Sequence, residues 1–499
     1  MTAQVIIVGG GPVGLSLALG LAHNGVRSTI LEREPEPTTE SRALVIWPRS
    51  LELLADWGAV EELREAGTWR STFEIWYAQT GEPLLQANFS TLGEVLAWTG
   101  ALLLPQSETE RILRKLVDAN EFSELRAGYD VTALEQDADG VTVTATGPNG
   151  AEQFRAPYGV GCDGAHGIVR HALGMTLEGA TYRGHAVLSD VTTSGAPWTP
   201  PSPRVSFAQG TFALGIEYRP NQWRIVSLLP EGVSEEQALD PQTLRADLEH
   251  LFGDDRPSTT TWSSLFHIHR RHAQRFFEGR VALAGDAAHV NSPAGGQGMN
   301  AGIQDAGNLA WKLAYALGGL VDAAFLLESY NDERHEMIMG NVERFTDTLT
   351  RYGVPCIRRC GPFPLRVLRR WLRGPGMQRK VCRAIGMLGG RYTKSALIDS
   401  RHPLAGRRVD DLVLADGMRI NQRRGGKAAL LAVGSLATTA LPPTDARVLQ
   451  IDAVPSHWHV KPPTVLVIRP DGCVASVVEK PTKDRVEKAW QRAFALSTR

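Results

Sequence analysis

The chain has 499 residues, 43% of them hydrophobic and 21% charged, and a formal net charge of -1. Its length predicts two or three domains, and its charge gives no reason to expect nucleic acid or a membrane surface as a partner. The 5 cysteines are irregularly spaced and include no C-x-x-C pair, which argues against a disulfide framework, a redox dithiol and most zinc sites. We therefore expect a soluble, cytoplasmic protein without a metal centre, acting as a monomer or homodimer.

A strand, a glycine-rich turn and a helix are predicted at the N-terminus. Val5–Val8 is a short apolar run typical of a buried parallel strand, and no basic segment precedes it that would indicate a signal peptide. The spacing G-x-G-x-x-G follows, with apolar residues at helical spacing behind it. In such a turn Gly9 permits the tight bend, Gly11 lets a pyrophosphate approach the backbone, and Gly14 lets helix and strand pack closely. The residues expected at the phosphates are Gly9, Gly11, Pro12, Val13 and Gly14.

The next predicted strand, residues 28–31, ends on Glu32. A carboxylate about 20 residues beyond such glycines binds the ribose hydroxyls of a dinucleotide. Glu32 therefore favours FAD or NAD over NADP at this site, and Arg33 beside it is a further candidate cofactor contact. The alternative is a glycine-rich turn with a glutamate on the surface.

Two further motifs lie downstream, at residues 161–170 and 279–313. In the second, an apolar strand ends just before Asp286, at the edge where α/β sheets present ligands. The stretch Gly295–Gly298 then leads into a helix with an apolar stripe, whose N-terminus would direct backbone N–H groups at an anionic ligand. From the residues alone, a flexible linker at Gly295–Gly298 and a simple turn at Asp163-Gly164 stay as alternatives.

The three motifs, in this order, resemble those of the single-component FAD-dependent aromatic hydroxylases, flavoprotein monooxygenases similar to para-hydroxybenzoate hydroxylase. The resemblance covers residues 1 to about 345. It implies FAD as cofactor, NADPH or NADH as electron donor, and transfer of one oxygen atom from O2, through a flavin C4a-hydroperoxide, to a small aromatic molecule. It implies cofactor contacts at Arg42, Gln106, Val131, Asp163, Asp286, Gly296, Gly298, Met299 and Asn300, and backbone beside the reactive flavin edge at Pro293. It identifies no catalytic base.

Strand-like segments fill the region between the second and third motifs, for example at 204–208 and 223–229, and the stretch 72–98 has a similar character. The resemblance implies that these stretches form a sheet over the flavin, with the substrate between them. Each of the aromatic candidates is more often a core residue than a ligand contact. The candidate substrate contacts are Trp47, Trp98, Arg204, Phe212 and Trp223.

The C-terminal third departs from this pattern. Residues 358–391 are basic and contain no acid, which favours a helical connector with a solvated face over a path for NADPH phosphates. From about residue 402 the chain predicts a separate unit, with a strand at 465–468 and a turn at 469–472 of sequence R-P-D-G. This unit resembles the thioredoxin-like domain of larger polyketide and antibiotic hydroxylases, although without C-x-x-C its role would be structural or at a subunit contact.

The sequence as a whole predicts an α/β protein. A Rossmann-like FAD-binding domain is interleaved with an α+β substrate domain built on a mixed or antiparallel sheet. The predicted segments are 1–71, 99–175 and 275–345 for the FAD-binding domain, 72–98 and 176–274 for the substrate domain, 346–401 for the connector and 402–499 for the thioredoxin-like domain. Hydroxylation of a phenolic or polycyclic aromatic compound is the predicted reaction. Baeyer–Villiger, epoxidising or ring-opening oxygenation on the same scaffold is the alternative, and an FAD-containing ligand-sequestering protein is the alternative of another class.

Overall fold

The fold is described from a computed structural model, which covers residues 2–38, 42–194, 202–208, 211–229, 232–253, 258–291, 295–342, 348, 352, 363–372, 374–435 and 446–496. Pro293, expected beside the flavin edge, lies outside these residues.

The helices and strands follow one another in three stretches of the chain. The first contains β1 Val5–Val8, α1 Pro12–His23, β2 Ser28–Glu32, β3 Val45–Ile46, α2 Pro48–Asp56, α3 Val60–Ala66, β4 Thr68–Arg70, β5 Thr72–Tyr77, β6 Glu82–Asn88, β7 Ala101–Leu103, α4 Gln106–Asp118, β8 Ser123–Ala127, β9 Asp130–Gln136, β10 Val141–Gly147, β11 Gly150–Ala156, β12 Tyr158–Gly161 and α5 Ile168–Ala172. The second contains β13 Leu177–Thr193, β14 Arg204–Ala208, β15 Thr211–Arg219, β16 Gln222–Leu228, α6 Glu235–Ala238, α7 Pro241–Phe252, β17 Ser258–Ala273, β18 Phe277–Glu278, β19 Val281–Leu283, β20 His289–Val290, α8 Gly298–Leu317 and α9 Ala323–Met337. The third contains α10 Phe363–Leu372, α11 Pro375–Ile385, α12 Ile420–Arg424, β21 Ala429–Val433, β22 Arg447–Ile451, β23 Thr464–Ile468, β24 Val474–Glu479 and α13 Lys483–Ala493.

A six-stranded sheet forms the centre of the first layer, in the order β18-β19-β12-β1-β2-β8. The five strands from β19 to β8 are parallel to one another, and β18 is antiparallel to β19. Every residue of β1 is buried, as expected for a parallel strand covered on both faces. The predicted strand, turn and helix at the N-terminus are therefore confirmed. Because β2 lies on one side of β1 and β12 on the other, the strand order reverses at β1, and the carboxyl end of β1 opens into a crevice.

An eight-stranded sheet forms the second layer, in the order β20-β17-β13-β16-β15-β14-β5-β6. Its pairs are antiparallel except for β14 with β5. The long strands β13 and β17 pair with each other, and β17 also pairs with β20 at the edge of this sheet. Helix α7 covers one face of this sheet through Trp223, Ile225, Leu251 and Phe252, so the opposite face is left for the crevice.

The C-terminal region forms a four-stranded sheet in the order β22-β21-β23-β24. β21 is parallel to β22 and antiparallel to β23, and β24 is antiparallel to β23. The predicted strand and turn are confirmed, since β23 ends at Ile468 and the N–H of Gly472 donates to the carbonyl of Arg469 at 2.9 Å. Trp311 of α8 and Leu326 of α9 share a buried cluster with this sheet.

Helices α10 and α11 occupy the described part of the basic stretch. Three of its arginines pair with carboxylates supplied by other elements: Arg366 with Glu82 at 2.8 Å, Arg379 with Glu94 at 3.4 Å and Arg383 with Asp410 at 3.1 Å. These pairs link the two helices to neighbouring elements. Within the described residues no helix is long and apolar enough to cross a membrane.

Candidate cofactor and substrate site

The three glycines of the G-x-G-x-x-G turn differ in the space that surrounds them. Gly9 has a φ of +105°, and a Cβ there would lie 2.4 Å from the carbonyl oxygen of Cys162. A Cβ on Gly14 would lie 2.0 Å from the carbonyl oxygen of Gly9. These two glycines therefore permit close packing of strand and helix. A Cβ on Gly11 would meet nothing within 4 Å, so this position faces open space at the start of α1. Pro12 opens that helix, and Val13 packs beneath the later turn at 285–287.

Glu32 lies at the end of β2 beside this turn. Its carboxylate accepts the N–H of Gly10 at 2.5 Å and the N–H of Glu34 at 2.8 Å. The N–H of Tyr129, just before β9, donates to the carbonyl of Glu32 at 2.8 Å. The start of β9, the strand that carries Val131, is therefore held beside Glu32, whereas Arg33 is exposed and pairs with Glu34.

Asp163 follows β12 at the same edge of the sheet. One carboxylate oxygen accepts the N–H of Val169 at 2.9 Å, at the start of α5, and Gly164 adopts a φ of +79°. The turn predicted from the residues is therefore present. The other oxygen, Oδ1, is buried without a hydrogen-bond partner among the described residues, and burial raises the pKa of the Asp163 carboxyl.

Asp286 projects from the turn that follows β19. Its side chain is accessible to solvent, yet protein surrounds it closely enough that burial raises the pKa of its carboxyl, against the lowering effect of His289 and Arg42. Accessibility combined with close surroundings defines a position in a cleft. Within the described residues no hydrogen bond to this carboxylate is found, while the N–H of the preceding Gly285 donates to Asp305 at 2.9 Å. The turn is held from behind and its carboxylate is left available.

Helix α8 begins at Gly298, the last residue of the glycine loop, residues 295–298. Gly296 has a φ of +61°, and the first turn of α8 receives no side-chain cap. Its amide groups are therefore available at the positive end of the helix dipole. The side chain of Asn300 does not face this site, because it donates to the carbonyl of Val45 and accepts the N–H of Trp47, both at 2.8 Å. A cofactor contact at Asn300 would use its backbone. Gly298 starts the helix, and Met299 packs partly into the core.

Gln106 and Arg42 lie at the adjoining edge of the crevice. Gln106 opens α4, accepts the N–H of Ala43 at 3.0 Å and donates to Glu110 at 2.8 Å. The guanidinium of Arg42 lies over the ring of Phe266 at 5.7 Å. Glu110 was not identified from the sequence, although it lies four residues after Gln106 on one helix face. Burial, reinforced by the charge of Glu32, raises the pKa of Glu110 to about 7.

The eight-stranded sheet presents a largely apolar surface to the crevice. Side chains alternate along paired strands, so residues out of phase with Trp223 and Ile225 point away from α7. We call this surface the cleft face; its partly buried apolar residues are Phe73, Ile75, Phe212, Leu214, Ile216, Val226 and Leu228. Its position opposite the glycine loop follows from Trp47, which donates to the carbonyl of Gly295 at 3.1 Å and packs on Phe73 at 5.3 Å between ring centres.

The candidate substrate residues separate into different environments. Phe212 lies on the cleft face, and Trp47 is buried between that face and the glycine loop. Trp223 has no exposed surface and packs edge-on against Phe252 of α7 at 4.9 Å. Arg204 lies opposite Gly215 in the register and hence on the α7 side of the sheet. Trp98 packs with Trp69 beneath Arg64. Of the candidates, Phe212 and Trp47 are brought to the crevice.

A buried ion pair interrupts the cleft face. Arg224 of β16 donates to both oxygens of Asp190 on β13, at 2.5 and 2.9 Å, and its guanidinium lies over Trp262 at 5.5 Å. Sequence reasoning missed this pair, because its partners lie far apart in the chain and meet only through the strand register. Arg224 is already neutralised, so the cleft face presents no free cation at this position.

A family model described as "FAD binding domain" matches residues 2–345. Rifampicin monooxygenase of Streptomyces venezuelae is 34% identical over 94% of each chain. The solved anhydrotetracycline hydroxylase of Streptomyces rimosus aligns over 100% of both chains with a TM-score of 0.80 and 31% identity. Dialkyldecalin synthase of Streptomyces rugosporus is 33% identical over 67% of this chain and 70% of its own.

The chain belongs to this FAD-binding family and is an FAD-dependent monooxygenase that takes electrons from a reduced nicotinamide. The described residues fit the cofactor on structural grounds. Gly11 leaves open space at the phosphate turn, Asp163 retains an unpartnered buried oxygen, and Asp286 has an available carboxylate in the cleft. The interpretation of residues 9–14 as a simple glycine-rich turn is thereby set aside.

Proposed function

We propose that the protein hydroxylates a phenolic or polycyclic aromatic compound bound between the glycine loop and the cleft face. The observation that carries this proposal is the apolar, partly buried cleft face opposite that loop. A flat apolar substrate would cover this surface and exclude water from the reacting atoms. The aromatic polyketide and antibiotic substrates named for the relatives support a large aromatic molecule.

In this proposal the residues that would hold FAD lie along the carboxyl edge of the six-stranded sheet. Glu32 would hold the ribose, the turn at Gly9–Gly14 would hold the pyrophosphate, and Asp286 would accept hydrogen bonds from the ribityl hydroxyls. The uncapped start of α8 stabilises negative charge on the flavin ring. Bound FAD supplies the transfer of electrons from the nicotinamide to O2 and of one oxygen atom to the substrate.

The side chains of the cleft orient the substrate and exclude water from it. The cleft face positions an electron-rich carbon near the flavin edge, and the Arg224–Asp190 pair adds polarity without net charge. We assign no catalytic base. Tyr218, at the margin of this face, is unsuited to that role, since burial raises the pKa of its phenol to about 12.

Other oxygenations on the same scaffold are the second candidate. Baeyer–Villiger, epoxidising and ring-opening reactions need the same cofactor and the same dry cleft, so the products must separate them. A ligand-sequestering role with FAD as a structural element does not agree with the monooxygenase class. Substrate-stimulated oxidation of the nicotinamide is the observation that separates the two.

We further propose that residues 402–499 are a thioredoxin-like unit that has lost redox chemistry. The strand order β22-β21-β23-β24, with one parallel and two antiparallel pairs and α13 packed behind it, supports this assignment. Cys473 is its single cysteine and is buried, and burial raises the pKa of its thiol, so the unit contributes structure.

The decisive experiment begins with the visible spectrum of the purified protein. Oxidation of NADPH and NADH is then followed with and without a panel of polycyclic phenols, under 18O2. A flavin spectrum, stimulated oxidation and a product carrying one labelled oxygen are expected. Label in a ring-expanded lactone would indicate a Baeyer–Villiger reaction instead. Tight binding of a panel compound without any stimulation would replace hydroxylation by sequestration.

A matched pair of variants tests the substrate surface. Leu214→Trp fills the cleft face and should abolish the stimulation by substrate while leaving the flavin spectrum intact. Ala213→Val, on the adjacent residue that faces α7, alters the same strand away from the cleft and should retain the stimulation. Equal stimulation of wild type and Leu214→Trp would contradict this location of the substrate.

A further inference from the structure

The R-P-D-G turn extends from the C-terminal sheet into the helices of the FAD-binding region. Arg469 has no exposed surface, and its guanidinium donates to both carboxylate oxygens of Glu333 on α9, at 2.6 and 2.8 Å. It also pairs with Asp471 of the same turn. The proposed reaction makes no use of this buried cluster.

Glu333 joins the C-terminal unit to α8. Besides Arg469 it accepts hydrogen bonds from Asn308 at 2.6 Å and from Lys312 at 2.9 Å, both on α8, and from Ser395 at 2.7 Å. Burial opposes its ionisation, but the charges of Arg469 and Lys312 outweigh this effect and hold the pKa of the Glu333 carboxyl well below its usual range. The carboxylate is therefore a charged centre on which two helices and one turn converge.

Helix α8 also connects Glu333 to the turn at residues 285–287, which presents Asp286. Asp305 lies one helical turn before Asn308, on the same face. It accepts the N–H of Gly285 at 2.9 Å and pairs with His289 at 2.7 Å and with Arg334 at 2.6 Å. Glu333 and Arg334, adjacent on α9, thus fix α8 at two points, and Asp305 on α8 fixes the turn that presents Asp286.

We propose that Arg469 is a positioning residue for FAD binding, acting through Glu333 on α8 and the turn at 285–287. This inference rests on the proposed placement of the cofactor. Without Arg469, Glu333 is a buried carboxylate that has lost one of its two cations, a costly arrangement that α8 and α9 relieve by shifting. Such a shift moves Asp305 and, with it, the Gly285 amide that orients Asp286.

The test compares the FAD dissociation constants of full-length apoproteins, measured by flavin fluorescence. Arg469→Met should weaken FAD binding about tenfold, within the range expected for coupling through a contact network. Arg469→Lys, which keeps the charge, should restore most of the affinity. The matched control is Arg424→Met: Arg424 is equally buried and donates to the Pro470 carbonyl, but its acidic partner is Asp56 of α2, at 2.8 Å.

Arg424 makes no hydrogen bond to α8 or α9, both of which lie within the described residues. Both methionine variants should therefore lower the melting temperature, and Arg469→Met alone should lower FAD affinity. Unchanged affinity in Arg469→Met, or equal losses in both variants, would overturn the positioning role. If Arg469→Met does not fold, Arg469→Gln, which also removes the positive charge but keeps a hydrogen-bond donor, is judged by the same comparison. Unchanged affinity in Asp286→Ala would instead overturn the placement of the cofactor.

Discussion

Asp286 carries a charge that the folded apoprotein disfavours. Because burial raises the pKa of its carboxyl, its stabilising contribution is present below the unfolded pKa and is lost as the pH rises through the folded value. Ionisation of this side chain therefore costs the apoprotein stability. We expect Asp286→Asn to raise the melting temperature of the apoprotein at pH 7 while weakening FAD binding. Thermal unfolding and FAD titration of the same samples measure both effects.

The control for this prediction is Asp452→Asn, at an exposed carboxylate after β22. It should change neither quantity. Asp286→Ala should also lose FAD, because neither variant restores an anionic acceptor for the ribityl hydroxyls. An Asp286→Ala protein that keeps its full yellow colour would contradict the assignment.

The buried carboxyl of Glu110 should make the stability of the apoprotein depend on pH near neutrality. Burial raises the pKa of this carboxyl from 4.5 to about 7, so its favourable contribution is full below pH 4.5 and is lost as the pH rises through 7. The loss is on the order of 3 kcal/mol. Urea unfolding of the apoprotein between pH 5 and pH 8 should show wild type losing more free energy of unfolding than Glu110→Gln. Parallel curves for the two proteins would show that Glu110 ionises normally.

At the scale of the element, the turn between β1 and α1 contains one glycine that affects FAD binding and another that affects folding as well. Gly11→Ala places its Cβ where nothing lies within 4 Å, so the free energy of unfolding of the apoprotein should change by less than about 0.5 kcal/mol. FAD binding should nevertheless fall sharply, because that methyl group occupies the approach of the pyrophosphate. Circular dichroism during urea unfolding and FAD titration measure the two quantities.

Gly14→Ala serves as the contrasting variant. Its Cβ would lie 2.0 Å from the carbonyl oxygen of Gly9, so α1 must move away from β1, at a cost of about 1–3 kcal/mol. We expect this variant to lose stability and FAD together. Normal FAD binding by Gly11→Ala would show that the phosphates lie elsewhere.

Local sequence patterns predicted where strands and helices occur, but not which side chains face the cleft and which face the core. The strand Val5–Val8, the glycine turn and α1 are each predicted by a pattern that spans only a few neighbouring residues. The structure has all three as predicted. The assignment of Trp223 to the core and of Arg224 to the cleft depends on the register of β16 with β13 and β15. An irregularity at Glu217/Arg219 shifts the register of β15 with β16, and one at Asp190/Val191 shifts the register of β13 with β17. No local pattern in the sequence predicts either of them.

At the scale of the whole molecule, the segments of the cofactor region could be ordered from their motifs, since each motif follows a strand of the same sheet. The contacts between regions could not. The R-P-D-G sequence predicted a turn, yet the partner of Arg469 is Glu333, which no spacing rule connects to it. Buried pairs between distant segments depend on tertiary packing, and their residue types are equally common on the surface.

The C-terminal unit should unfold together with the FAD-binding region. Its sheet shares a buried cluster with Trp311 and Leu326, and Arg469 is fully buried against Glu333. Separation would expose both the apolar cluster and the ion pair, so neither region is stable alone. We therefore expect one calorimetric transition for the apoprotein, with equal calorimetric and van't Hoff enthalpies. Saturating FAD binds only one region but should shift that transition as a whole. Two transitions, of which FAD moves only one, would show that residues 402–499 fold independently, and the dependence of FAD binding on Arg469 would then need another explanation.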